Sequence, residues 1–537
     1  MTSSNPVGRR TLLVGGSVYA ASDPHATAIA LDGTQVVWVG DDDGAERYRG
    51  EADEVVELDG RLVAPAFVDA HAHLAQTGFA LSSVDLSACA SLNAALDAVR
   101  EVAGAHDGSL LQGFGWDETR WPEGRPFTGA EVDRAVGDRP VYLGRVDGHS
   151  AVVSSALLAR IPHVRQVDGF TDDGRVERDA HHVVRGTVQA LLTAPERRTA
   201  IERALTLAAS RGIAAVHELG APHLSVTDDF ATIRSLRGGP EVYGYWGELH
   251  EAALARDLGC LGAAGDLNAD GAIGSRTAAM TAPYADADSS GHRYLDVEDV
   301  RDHVVACTRA DLQAGFHCIG DDAVATVIEG FRAAERVVGR DALVWARHRL
   351  EHVEMIDAGG IATMADLGIV ASVQPVFDAW WGGNAGLYAL RLGERQRAMN
   401  PFGSLARAGV VLAFGSDTPI TPFDPWAAVR AAAFHHTPEE RMTVRAAFGA
   451  HTRGGWRAVR RDDAGVLAPG SDATLAVWAV PGGLTVQTPD ARVASWSTDP
   501  RAGVPVLPTL EPGEDLPTCH RTYLAGDLIH DHEVPTR

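Results

Sequence analysis

The chain has 537 residues, too many for one ordinary domain, and its 45% hydrophobic and 22% charged composition suits a globular protein of two or three domains. A formal net charge of −25 argues against nucleic acid and anionic membrane surfaces as partners. No apolar run approaches the ~18 residues of a transmembrane helix. The five cysteines, Cys89, Cys260, Cys307, Cys318 and Cys519, are scattered without paired spacing, which fits free thiols in a reducing, cytoplasmic setting.

In chain order, "GRRTLLVGGSVYAA" reads as a first strand and not as a twin-arginine leader. A second strand pattern, "TAIALDGTQVVWVG", follows it at once. Short strands with turn residues between them continue to about residue 65. The next segment, from about 78 to 190, contains "GFGWDETRWPEGRPF", loop-like and aromatic, and reads as an α+β insertion. From about 190 onward, apolar runs such as "GIAAVHELG", "GFHCIGDD", "RHRLEHV", "GIVASVQP" and "VVLAFGSD" alternate with Ala- and Leu-rich helix patterns. That alternation predicts βαβ units and a parallel sheet. "GHRYLD", residues 291–296, reads as a turn into a strand. Near the end, "SDATLAVWAV" and "RTYLAGDLIHD" return to short strands. The expected fold is α/β: a (β/α)8 TIM-like barrel over 66–459 that carries the insertion, and a β-sandwich domain built from both termini, 1–65 and 460–537.

The chemistry starts at "PAFVDAHAHL", residues 65–74. A strand alternates its side chains, so His71 and His73 face one way while Ala72 faces the other. Such a pair can grip one ion, although two ordinary polar residues share the pattern. His317, His352 and Asp417 each end a barrel-strand candidate. Active sites in such barrels lie at the C-terminal strand ends, so these residues are expected to converge there. His217 and Glu218 end another strand and are read as capping the barrel.

These motifs resemble the amidohydrolase superfamily, most closely amidohydrolase family 3 with its N-substituted formamide deformylases. "PAFVDAHAHL" is similar to the family's first metal motif, "PVYLGRVDGHSAVVSSALL" to its insertion segment and "NADGAIGSRTAAMTAPY" to its DG-x-x-GSR motif. "FHCIGDDAV", "RLEHVE", "VQPVF" and "FGSDTPITPFDPW" follow in order, and "AGVLAPGSDATLAVW" resembles the closing segment. The resemblance implies a metal-dependent hydrolase that cleaves a C–N bond, amide or formamide-type, of a small organic substrate with metal-activated water. His71, His73, His317, His352 and Asp417 match the family's ligand positions. Zn2+, as one or two ions, is the default for such a site, with other divalent metals open. Asp417 would shuttle the proton from water to the leaving nitrogen.

One departure is sharp. Many relatives bridge two metals with a carboxylated lysine just before the DG motif, yet this chain contains no lysine at all. The matching position, in "AGDLNADG", is Asp266. Either its backbone comes closer and Asp266 bridges two ions, or one ion is held by His71, His73, His317 and Asp417 and His352 bonds the attacking water. Substrate contacts are expected from His149, Gln374, Trp380 and Trp381, and Asp321 is expected to orient a ligand from behind. The alternatives to an amide or formamide hydrolase are a mononuclear-metal deaminase or cyclic-amide hydrolase, and a non-catalytic binder. The last is disfavoured because all the ligand positions are kept together. A small-molecule substrate is the expected partner, with no nucleic acid and no membrane. Homodimer formation is left open.

Overall fold

The computed structural model describes residues 8–105, 110–486 and 504–533. Its centre is one eight-stranded parallel sheet: β1 Phe67–Ala72, β2 Ile213–Gly220, β3 Glu241–Trp246, β4 Gly262–Ala263, β5 Gln313–Cys318, β6 Arg349–His352, β7 Val370–Val373 and β8 Leu412–Phe414. The strands neighbour one another in chain order. Strands covered by helices outside and side chains inside read as continuous apolar runs, and all of β2 is buried. The last strand returns to the first through a bridge between Ala72 and Thr418, which nearly closes the barrel.

Helices start where the sequence supplies caps. Thr193 and Glu196 form a capping box for Ala194–Ser210, whose Ala200, Ile201, Ala204, Leu205 and Ala208 are buried. "GHRYLD" departs from expectation: it forms no strand and leads into the helix Val297–Arg309, where the Asp296 side chain accepts the Asp299 amide. An N-cap carboxylate fixes this segment as a helix entry.

The segment from 78 to 190 is more regular than its loop-like composition suggests. It contains a five-stranded sheet ordered Arg175–Glu177, Ser150–Val153, Val141–Arg145, Leu111–Trp116, Val84–Asp85. Alternate residues of its middle strand feed different cores. Val141 and Leu143 pack with Trp116 and Leu96, whereas Tyr142 packs with Val153 and Val184. Helices therefore cover this sheet on both faces.

Strands from the two ends of the chain share one sheet. Leu62–Pro65 pairs antiparallel with Leu475–Ala479, which pairs with Thr518–Leu524. A second sheet, of Gln35–Gly40, Ala28–Asp32, Arg10–Val14 and Glu54–Glu57, packs on it through a common core that includes Leu13, Ile29, Val63, Leu475 and Tyr523. Trp478, 2% exposed, ties this unit to the barrel base. Its ring meets Phe67, the first residue of β1, edge-on at 5.6 Å, and Trp426 at 5.5 Å. Trp478→Ala should therefore cost ~3–5 kcal/mol in denaturant unfolding. A loss below ~1 kcal/mol would show that the terminal sheets are not packed on the barrel in this way.

Candidate metal centre

The C-terminal mouth of the barrel gathers six ionisable side chains from five strand ends. They form two groups with one member in common: His71, His73, Asp266 and Asp417, and Asp266, His317 and His352. Asp266 Oδ2 lies 3.1 Å from His73 Nε2, and Oδ1 lies 3.4 Å from His71 Nε2, 3.8 Å from His317 Nδ1 and 4.0 Å from His352 Nε2. Asp417 Oδ1 closes the first group at 3.3 Å from His71 Nε2 and 3.1 Å from His73 Nε2.

Each imidazole is held by its other nitrogen. His71 Nδ1 meets Glu351 Oε2 at 2.9 Å, His73 Nδ1 meets the Leu219 carbonyl at 2.9 Å, and His352 Nδ1 meets Gln374 Oε1 at 2.8 Å. His317 is turned round: its Nε2 meets the Gly271 carbonyl at 3.2 Å, which leaves Nδ1 toward Asp266. An N–H given to a backbone or carboxylate oxygen leaves the opposite nitrogen with its lone pair aimed inward, the state a metal ligand needs.

The supports are charged and buried. Arg349 Nε donates to Glu351 Oε1 at 2.5 Å and Nη2 to Oε2 at 3.0 Å. Burial would raise the Glu351 carboxyl, but Arg349 beside it brings it down to about 2. Asp69 accepts the amides of His71 and Ser416, tying β1 to the turn after β8. That turn is also fixed by Asp417 N donating to the His71 carbonyl at 2.8 Å and His73 N donating to the Thr418 carbonyl at 3.1 Å. Asp270, of the "NADG" motif, accepts the amides of Ile319, Gly320 and Ala279, which sets the loop after His317.

The backbone comes in to meet a short side chain. Strand β4 has only two residues, and Gly265 follows it at φ +94°. That conformation suits glycine and few others, and it delivers Asp266 into the mouth. His352 at φ +69° and Asp417 at φ +56° also take the left-handed region, a strain that clusters at functional sites.

Electrostatics balance two carboxylates against imidazoles. Burial would raise Asp266 and Asp417, yet His71 and the other rings hold both below the usual carboxylate range. Burial would lower His73, yet the two carboxylates lift it to about 9. Burial, with His317 and His71 nearby, holds His352 neutral at about 3. Three inward atoms, His71 Nε2, His352 Nε2 and Asp266 Oδ1, are buried with no hydrogen-bond partner. Buried polar atoms are rarely left so. A divalent cation fits them: nitrogen and carboxylate donors converge, with a four-donor group and a three-donor group.

The amidohydrolase family profile matches residues 54–530. The chain belongs to the amidohydrolase family. It is 27% identical to Protein LONG AFTER FAR-RED 3 of Arabidopsis thaliana, over 87% of this chain and 86% of that one. It is 25% identical to N-substituted formamide deformylase of Arthrobacter pascens, over 76% and 81% respectively. Among solved structures it matches an uncharacterized metal-dependent hydrolase from Pyrococcus horikoshii at TM-score 0.70 and 25% identity, covering 86% of this chain and 96% of the other. Among the described residues no helix is long and apolar enough to cross a membrane.

Other residues singled out in the sequence fall at different distances from the amidohydrolase centre. His149 is half-buried with its ring 5.0 Å from that of His317, and it lines a pocket with His352, Asp417, Phe377 and Trp381. Trp380 is 51% exposed and borders a separate cavity. Gln374 holds His352, and Asp321 binds the Thr281 amide and hydroxyl instead of a histidine. Glu218 accepts the Leu74 amide at 2.7 Å, and His217 meets Arg349 at 3.0 Å. Sequence reading missed Glu351, Arg349, Asp69 and Asp270. The signal for the first two was an i, i+2 charged pair on one buried face of β6. Glu351→Gln should lower metal affinity ~10–100-fold in chelator competition, because the carboxylate's charge no longer orients and polarises the His71 ring. Unchanged affinity would remove Glu351 from the site.

Proposed function

We propose that this amidohydrolase cleaves the C–N bond of a small amide, most simply an N-substituted formamide with an apolar substituent, at a zinc-class divalent centre. The observation that carries the reading is the shared Asp266 carboxylate. It belongs to both donor groups, with His71 and His73 in one and with His317 and His352 in the other, which would suit two ions held in part by a shared ligand. When bound, such ions supply Lewis acidity, which lowers the pKa of water toward ~7 and polarises a carbonyl.

The chain's own residues do the rest. Asp417 reaches the His71–His73 side and also lines the pocket, so its carboxylate is placed to take a proton from water and return it to the leaving nitrogen. His149 stands over His317, where its ring can donate to the substrate carbonyl. Phe377 stacks on His352 at an interplanar angle of 9°, and with Trp381, Leu387 and Ile420 it gives the pocket an apolar wall. The formamide deformylase among the relatives supports the bond type. A panel that includes N-benzylformamide should yield formate and amine, whereas ammonia release would favour a deaminase instead.

Asp417→Asn keeps a ligand oxygen and loses the base. Its kcat should fall by ~10^2 or more with metal content retained, since general base catalysis contributes about that much. Full turnover by a variant with normal metal content would exclude the role.

A further inference from the structure

Beside the metal pocket lies a larger cavity, between the insertion and the barrel. The pocket itself, among His149, His317, His352 and Asp417, has a volume of only about 20 Å³, room for roughly one water. Its neighbour has about 520 Å³ and is lined by Phe114, Tyr142, Trp380, Phe423 and Arg185 among others. That size is in the range of small-ligand sites. Ile420 lines both spaces, so the two adjoin at that side chain.

Arg185 differs from Arg145 and Arg391, two buried arginines nearby. It projects from the insertion helix Arg178–Leu191 and is half-buried. It donates to the Gly148 carbonyl at 3.2 Å and to Gln76 Oε1 at 2.8 Å, both neutral acceptors. Among the described residues no carboxylate lies within ion-pair distance of it. Arg145, which lines the same cavity, meets Asp117, Glu118 and Asp147, and Arg391 meets Glu118 and Asp286. A guanidinium withdrawn from water without an anion is costly. Its planar fork matches a carboxylate better than any neutral group does.

We infer that Arg185 is the docking group for a carboxylate on the substrate, so that the natural substrate is an amide with an acidic end lying in the larger cavity and its scissile bond past Ile420 at the metal centre. This rests on the C–N hydrolase reading. It adds that the substrate is an acid, with an apolar spacer between carboxylate and amide that passes Phe114, Tyr142 and Trp380. The bland alternative is that Arg185 only ties the insertion to the barrel. That role needs no charge, and it would affect acidic and neutral substrates alike.

The test compares N-formyl-ω-amino acids, from N-formyl-β-alanine to N-formyl-6-aminohexanoate, with their methyl esters, using the metal-loaded enzyme. The wild type should prefer the acid with the best spacer by roughly 10–100-fold in kcat/KM, as a charge-assisted pair allows. Arg185→Gln should bring the acid-to-ester ratio near one, and Arg185→Lys should retain part of the preference. A wild-type ratio near one, or a ratio that Arg185→Gln leaves unchanged, overturns the proposal. Calorimetry with hexanoate and hexanamide separates the two readings. If no formamide is cleaved but hexanoate binding still falls in Arg185→Gln, the C–N reading fails and the carboxylate site stands. Hexanoate binding equal in wild type and variant places the anion on the metal and removes Arg185 from recognition.

Discussion

The carboxylate of Asp266 lies within 4.0 Å of four histidine rings at the mouth of the barrel. Its position constrains everything around it. An aspartate stem is short, so the chain after β4 turns inward at Gly265, and the strand itself is cut to two residues. A lysine modified at its tip would reach the same point from further back, but the chain has no lysine. The imidazoles are in turn fixed from behind by Glu351, Leu219, Gln374 and Gly271. Three of the inward atoms, His71 Nε2, His352 Nε2 and Asp266 Oδ1, are left buried with no hydrogen-bond partner. Such an arrangement is stable when a cation replaces the missing hydrogen bonds, and costly when none does.

The fold keeps that arrangement rigid by joining the first and last strands of the barrel. Asp69, the Asp417 amide and the His73 amide make three ties across one seam. They hold His71, His73 and Asp417 in one register. Arg349 and Glu351 pair along β6 inside the barrel, and Arg349 also reaches β1 and β7 by donating to the Ala70 carbonyl and to Ser372. Removing one member of a fully buried pair of this kind costs about 3–5 kcal/mol. The strained backbone at His352 and Asp417 is tolerated because these neighbours leave it no alternative.

Much of the centre was legible in the sequence, for a physical reason. The candidate ligands lie at the ends of apolar strands, and a polar residue that closes such a run stands out: His71, His317, His352 and Asp417 all do. Asp266 was found only through the resemblance, because β4 is too short to show a strand pattern. Glu351 and Asp69 lie inside strands. There a charged residue needs a partner that sequence alone does not identify. The α+β character of the insertion was legible, but glycines and aromatics in "GFGW" hid the end of the strand Leu111–Trp116. Gln374 and Asp321 illustrate a further limit. Their residue types were right for a site, but the direction of a side chain decides whether it touches a ligand, a histidine or a threonine.

The central proposal is that Asp266 serves two ions at once. Elemental analysis of wild type and Asp266→Ala, each saturated with zinc and freed of excess, tests it directly. The bridging account expects about two ions per chain in the wild type and the loss of about one in the variant. One ion per chain in both proteins would contradict it, and would leave Asp266 as a hydrogen-bond acceptor beside a single-metal centre.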